Sequence, residues 1–341
     1  MAVAAVPIAR AARADARPPT RPQAAGIAAD PGLLPLPEPV SVRAFAANLG
    51  LEPAWSEDRS QLRLTSRWSR IEFRAGSREM ALNGVRAFLG EPAVPADDDL
   101  LISPIDRDRF LNPILAPQLN EPLAPIRHIV IDPGHGGSAD GTRNDALKLL
   151  EKHLTLKVSL LLGDMLEQRG FKVSYTRTED IDLDLAARPA FAREVGADLF
   201  LSIHFNSARA DVRGIETYLL TRQHQRSTGN DKREPDDAVA LPGNAFDPWN
   251  AHLGFTVHRQ MVRELEAFDR GLKQARFAVL KTLECPGLLL ECGYLSNPEE
   301  GKLIGTEAHQ RRIATAIANG VDIFNQTLKR LQAVREGRTV R

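Results

Sequence analysis

Cysteine is nearly absent from this chain: only Cys285 and Cys292 occur among its 341 residues. They flank the apolar run Pro286 to Glu291. If that run is one extended strand, their Cα atoms lie too far apart for a disulfide. They read as two small buried hydrophobes. A thiolate-rich zinc site is excluded, so any metal must rest on histidine and carboxylate. Net charge is missing too, since 44 Lys+Arg balance 44 Asp+Glu. That argues against a strongly basic nucleic-acid face, although a local patch stays open. No apolar stretch approaches the roughly 20 residues of a membrane helix. The N-terminus, MAVAAVPIARAARADA, has no basic segment ahead of its short apolar run, which contains Pro7. It reads as a poor export signal; a shortened remnant, a misplaced start and a disordered tail all remain open. What is present is ordinary. A hydrophobic fraction of 43% and a charged fraction of 26% fit a soluble globular protein, and the length suits two domains.

Residues 1–38 are rich in Ala, Pro and Arg, carry no periodic pattern, and read as a flexible tail. Residues 39–122 read as a small accessory α+β module. A short helix over Val40 to Leu49 precedes strand-like runs at 61–65, 69–73 and 79–82, and Asn83-Gly84 is a hairpin turn signal. A proline-containing link, 113–125, leads to a second domain over 126–330, followed by a C-terminal tail at 331–341. In the second domain apolar runs alternate with helical patterns. This predicts an α/β fold with a mixed, mostly parallel sheet flanked by helices. Strands are expected at 128–132, 171–176, 198–204, 214–220, 277–282 and 287–292. Helices are expected at 151–169, 184–195, 250–268 and 306–329, the first with Leu154, Val158, Leu161 and Met165 on one stripe.

Four residues stand where these elements meet loops. His135 follows an apolar strand in a Pro-Gly-His-Gly-Gly turn, whose small residues leave the imidazole accessible. Glu151 opens a helix on its inward face, where the helix dipole favours a carboxylate. His204 ends a strand at the carboxyl edge, where open α/β sheets bind ligands. Two imidazoles and a carboxylate suit an open zinc site with room for water. His153 competes with Glu151, but a two-residue offset turns it to another face of the helix. Glu291 ends a run of three leucines. It suits a general base; the alternative is a buried ion pair with Arg or Lys.

The segment Ile129-Val-Ile-Asp-Pro-Gly-His-Gly-Gly137 is followed by Glu151-Lys152, then by Tyr175-Thr-Arg-Thr-Glu-Asp180 with Leu185-Ala-Ala-Arg188. Next come Leu201-Ser-Ile-His-Phe-Asn-Ser207, Gly214-Ile-Glu-Thr-Tyr218 and Leu290-Glu-Cys-Gly-Tyr-Leu-Ser-Asn297. In this order the six motifs resemble the zinc-dependent N-acetylmuramoyl-L-alanine amidases of bacterial cell walls, over residues 126–328. The resemblance implies one Zn²⁺ held by His135, Glu151 and His204, with Glu291 as the catalytic carboxylate. It implies a substrate bond, the amide between N-acetylmuramic acid and L-alanine in peptidoglycan, and hence a periplasmic, cell-envelope or secreted protein. The accessory module loosely resembles the copper-amine-oxidase N-terminal-like domain, without implying copper. Three departures bear on the groove: Leu149-Leu150 replaces the family's Gly-Leu, Phe205 replaces a small residue, and Cys292 lies beside the catalytic Glu that the resemblance implies. Asn206 is a candidate substrate contact or simply a turn residue.

Residues 222–250 fit no regular pattern and form a charged insertion. In some relatives an insertion here blocks the metal until a partner moves it. Glu234, Asp236 and Asp237 are therefore candidate regulatory contacts, and an activator protein a candidate partner. The alternative is a surface loop shaping the groove. Two other function classes stay open: a silent peptidoglycan-binding or activator protein, and a zinc peptidase acting on stem peptides.

Overall fold

A computed structural model describes residues 36–338. Most of the expected tail, 1–35, lies outside the described residues, as do the last three positions. The first part of the chain holds strands β1 (Val40–Ser41), β2 (Glu52–Trp55), β3 (Gln61–Thr65), β4 (Arg70–Arg74), β5 (Glu79–Leu82), β6 (Val85–Phe88), β7 (Val94–Ala96) and β8 (Asp99–Ile102). The second holds β9 (His128–Pro133), β10 (Arg143–Asn144), β11 (Leu149–Leu150), β12 (Lys172–Tyr175), β13 (Leu199–Asn206), β14 (Ile215–Leu220), β15 (Asp269–Ala275) and β16 (Gly287–Tyr294).

The two parts share one sheet. Its order is β12-β9-β13-β16-β14-β15-β6-β5-β4-β3-β2. From β12 to β15 the pairs are parallel except β14 with β16. From β6 to β2 the strands form an antiparallel meander, and Asn83-Gly84 makes its last tight turn with both residues at positive φ. The join is a parallel pairing of β15 with β6, in which Leu272 faces Ala87. One apolar core runs through both parts, from Val42 and Phe73 to Ile131, Leu253 and Leu328.

Helices Glu151–Glu167, Asp247–Leu265 and Glu307–Arg335 pack together against one face of the second part. In the first of them the inward stripe is Leu154, Val158, Leu162 and Leu166, all fully buried or nearly so. Leu161 and Met165 flank that stripe at its margin. The other face is covered by the short helices Ala187–Glu194 and Ala278–Lys281, through Ala192, Val279 and Leu280 against Val130 and Phe200.

One expected strand is corrected. Residues 277–282 are not extended; 278–281 form a helical turn, and the strand is β15 at 269–275. Its sequence, Asp-Arg-Gly-Leu-Lys-Gln-Ala, is mostly polar, so apolar runs do not reveal it. The polar side chains are stabilised by specific partners rather than by apolar burial. The helix expected at 250–268 begins at Asp247 and stops at Leu265, where Glu266 turns left-handed at φ 53°. The last helix runs past the expected boundary at 330 to Arg335, whose guanidinium donates to the Asn120 carbonyl.

Candidate active site

The loop after β9 bends so sharply that His135 adopts a positive φ of 62°. Two buried arginines hold it in place. The Arg188 guanidinium pairs with buried Asp132 at 2.8 Å and donates to the carbonyls of Pro133 and His135. That of Arg177 donates to the carbonyls of Pro133, Gly134, Glu179 and Lys152. Asp132 also accepts from Thr176 and Ser202. Burying ionised groups is costly without such partners, and here every one has several.

The turn brings His135 to Glu151, whose Oε1 lies 3.1 Å from His135 Nε2 and 3.0 Å from His204 Nδ1. Glu151 Oε1 also accepts from the Phe205 backbone N–H, and Oε2 from that of Thr142. Burial alone would raise the Glu151 pKa, but the hydrogen bonds and charges of the two imidazoles hold it well below the usual carboxylate range. One donor atom from each of His135, Glu151 and His204 falls within 4.8 Å of the others. Glycines crowd these side chains. A Cβ on Gly134 would lie 2.3 Å from the His204 ring, and one on Gly141 2.5 Å from Glu151 Oε2. The donor set of two imidazoles and one carboxylate fits Zn²⁺ with a position left for substrate or water. His153 is turned away, exposed, 3.4 Å from Asp180.

The cluster lines a cavity of about 570 Å³ with Thr142, Arg143, Asn206 and Glu291. Glu291 Oε2 is enclosed there and has no hydrogen-bond partner among the described residues. Burial, with Glu151 and Glu216 nearby, pushes the Glu291 carboxyl well above its ordinary pKa; Lys273 pulls weakly the other way. No Arg or Lys ion pair with Glu291 is found among the described residues, so the alternative reading of this residue finds no support. Asn206 lines the cavity, but its amide is engaged. Its Nδ2 donates to Glu216 Oε2 at 3.0 Å, and its Oδ1 accepts from the Ser207 N–H.

Glu216 was not singled out by the sequence, although it lies in one of the quoted motifs. It is 2% exposed and faces Glu291 across the β14–β16 ladder. Its carboxylate accepts from Asn206, from the Tyr218 hydroxyl at 2.8 Å and from the Tyr294 hydroxyl at 2.7 Å. Arg270 Nε donates at 3.0 Å and Lys273 Nζ at 2.5 Å. Burial opposes its ionisation, but Lys273 and the two phenols outweigh burial and keep its pKa below the ordinary value. Arg177, Arg188 and Asp132 are likewise site residues that the sequence shows only as letters within motifs.

The departures leave the His-Glu-His cluster intact. Leu149-Leu150 forms β11, paired with β10 at Arg143-Asn144, and so delivers Glu151. Phe205 is buried, and it is its backbone that serves Glu151 and Thr142. The insertion lies elsewhere. No residue lining the cavity comes from 222–250. Arg222 pairs with Asp106, and Arg226 with Glu91; the Arg78 guanidinium donates to the carbonyls of Arg226, Ser227, Thr228 and Asn230. The insertion is thus fastened to the first part of the chain. Asp237 is buried against Arg276, while Glu234 and Asp236 are exposed. The structure does not bring these three carboxylates to the His-Glu-His cluster.

Comparison with known proteins agrees with this geometry. A model of the family described as N-acetylmuramoyl-L-alanine amidase matches residues 129–322, more than half of the chain. The amidase AmiA of Escherichia coli (strain K12) is 32% identical over 219 residues, spanning 57% of this chain and 75% of that protein. The uncharacterized protein YqiI of Bacillus subtilis (strain 168) is 33% identical over 212 residues, spanning 62% and 91%. The crystal structure of the N-acetylmuramoyl-L-alanine amidase from Clostridium difficile 630 superposes with a TM-score of 0.50 at 28% identity, covering 60% of this chain and 99% of that one. With the matched region beginning one residue into β9 and enclosing the whole cluster, the chain belongs to the N-acetylmuramoyl-L-alanine amidase family.

Proposed function

We propose that this protein hydrolyses the amide between N-acetylmuramic acid and L-alanine in peptidoglycan, with His135, Glu151 and His204 holding one Zn²⁺ and Glu291 carrying the proton. The observation that supports this most is the convergence of three ligand atoms beside the enclosed, unpartnered Oε2 of Glu291, in one open cavity.

Zinc, when bound, supplies Lewis-acid charge at the scissile carbonyl and eases the deprotonation of water. The chain supplies the rest. Glu151, fixed by two backbone N–H groups, keeps both imidazoles aimed inward. Glu291 takes a proton from the attacking water as the C–O bond forms. It returns that proton to the nitrogen as the C–N bond breaks, so the leaving alanine departs as a neutral amine. Burial and two nearby carboxylates raise the Glu291 pKa, a bound Zn²⁺ would lower it, and a position between those pulls suits a group that takes and then returns a proton. The substrate places the site of action in the cell envelope or outside the cell. No helix among the described residues is long and apolar enough to cross a membrane.

Digestion of purified sacculi tests the reading. The expected product is a stem peptide with a free N-terminal L-alanine; cleavage inside the peptide would instead mark a peptidase, and no product a binding protein. Glu291→Gln should lower kcat by about 10²–10⁴-fold. Chelation should abolish the activity, and added Zn²⁺ should restore it.

A further inference from the structure

Lys273 is the ammonium best placed to spoil Glu291. It stands on β15, next to β14, and acts electrostatically on Glu291. Yet its Nζ is 2.5 Å from Glu216 Oε1, with the Phe88 and Tyr218 rings at 5.9 and 5.8 Å. Glu216 and Glu291 are cross-strand partners, so their side chains leave the same face of the sheet. One carboxylate therefore has five donors, while its neighbour has an enclosed oxygen with none.

Opposite charges buried close together pair strongly, and a free ammonium at this place would find the nearest carboxylate. We infer that Glu216 is a positioning residue whose task is to sequester Lys273, keeping it from forming an ion pair with Glu291 and so leaving the Glu291 carboxylate unpaired for the reacting proton. The same carboxylate orients the amide of Asn206 at the cavity wall and accepts from the buried Tyr294 hydroxyl. Arg270 has a second polar partner, the Tyr294 side chain, and its guanidinium lies 5.1 Å from the centre of that ring. Among the described residues Lys273 has, beside Glu216, only the Phe88 and Tyr218 rings and no second polar partner, and it is the cation that losing Glu216 releases.

This inference rests on Glu291 as the proton carrier, and the test separates the two ideas. Activity on sacculi is compared for the zinc-loaded wild type, Glu291→Gln, Glu216→Gln, Lys273→Met and the double variant Glu216→Gln/Lys273→Met. An active Glu291→Gln overturns the underlying reading itself. With that control inactive, Glu216→Gln should lose about tenfold or more in kcat, with KM within about threefold and bound zinc unchanged. A crystal structure of that variant should show Lys273 Nζ within hydrogen-bonding distance of Glu291. Removing the released cation should restore kcat in the double variant by about tenfold relative to Glu216→Gln. A merely structural Glu216 predicts the reverse, a double variant no better than the single one, and that result overturns the proposal. Should Glu216→Gln not fold, Lys273→Met decides. It leaves Glu216 four other donors, and its kcat should stay within about threefold of wild type; a loss of tenfold or more would mean Lys273 serves the reaction directly and overturns the sequestering role.

Discussion

Arg222 and Asp106 lie 116 positions apart in sequence and pair at 3.1 Å, with side chains 3% and 0% exposed. The pair joins the insertion to the first part of the chain, and Asp106 also accepts from the Gly90 backbone N–H. Removing one partner of a buried pair leaves the other uncompensated, at a cost of about 3–5 kcal/mol. Arg222→Met should therefore lower the unfolding free energy in urea by about that amount, and Asp106→Asn should do the same from the other side. Zinc content should be unaffected, because no residue of 222–250 lines the catalytic cavity.

Arg188 acts on the His135 turn from behind. It fixes the His135 carbonyl and pairs with Asp132. Outer-shell partners of this kind are worth about 10–100-fold in metal affinity. Arg188→Lys keeps the charge but loses the two-armed geometry. It should weaken zinc binding by an amount in that range, measured by competition with a chelator.

His252 is buried against Trp249 and Phe324, with its Nδ1 unpartnered among the described residues. Burial lowers its pKa from 6.5 to about 4. The unfolded chain therefore binds the extra proton first. Stability from this group is present above about pH 6.5 and is lost as pH falls toward 4, by up to roughly 3 kcal/mol. In His252→Gln that part of the pH slope should vanish from denaturation curves taken between pH 4 and 7.

Asp247 has the opposite sign. Burial raises its pKa from 3.8 to about 6, against the pull of Asn244 and Arg222. Here the folded chain binds the proton more tightly, so stability falls as pH rises through that window. Asp247→Asn should be more stable than wild type at pH 7, by at most about 3 kcal/mol, and equal to it near pH 4. A variant less stable at both pH values would mean that the charge on Asp247 is needed by Arg222.

The strands that the sequence revealed are those built on apolar burial. Ile129-Val-Ile131 and Leu288-Leu-Leu290 are buried throughout and announce themselves as runs. The mostly polar β15 does not, because its Lys273 and Arg270 are stabilised by Glu216, more than 50 residues away in the chain. The candidate ligands were legible for a related reason: His135 follows an apolar run among glycines, Glu151 opens a helix, and His204 lies near the end of an apolar strand. Glu216 was not, since a lone Glu between Ile215 and Thr217 carries no sign of four donors arriving from three other strands, with a fifth, Tyr218, on its own. The accessory module was legible as strands and a turn. Its continuity with the second part was not, because Leu272 opposite Ala87 is a pairing between segments about 180 residues apart.

That pairing sets an order of events during synthesis. β6 emerges from the ribosome early, while β15, which supplies the neighbour on its open side, follows only after most of the chain has been made. Until then the nascent meander presents a bare row of N–H and C=O groups, a hazard for pairing with other chains. Long-range strand pairing is also slow to form. A segment beginning near residue 126 would expose the complementary row on β15. Expressed alone, it should associate or precipitate more readily than the intact chain.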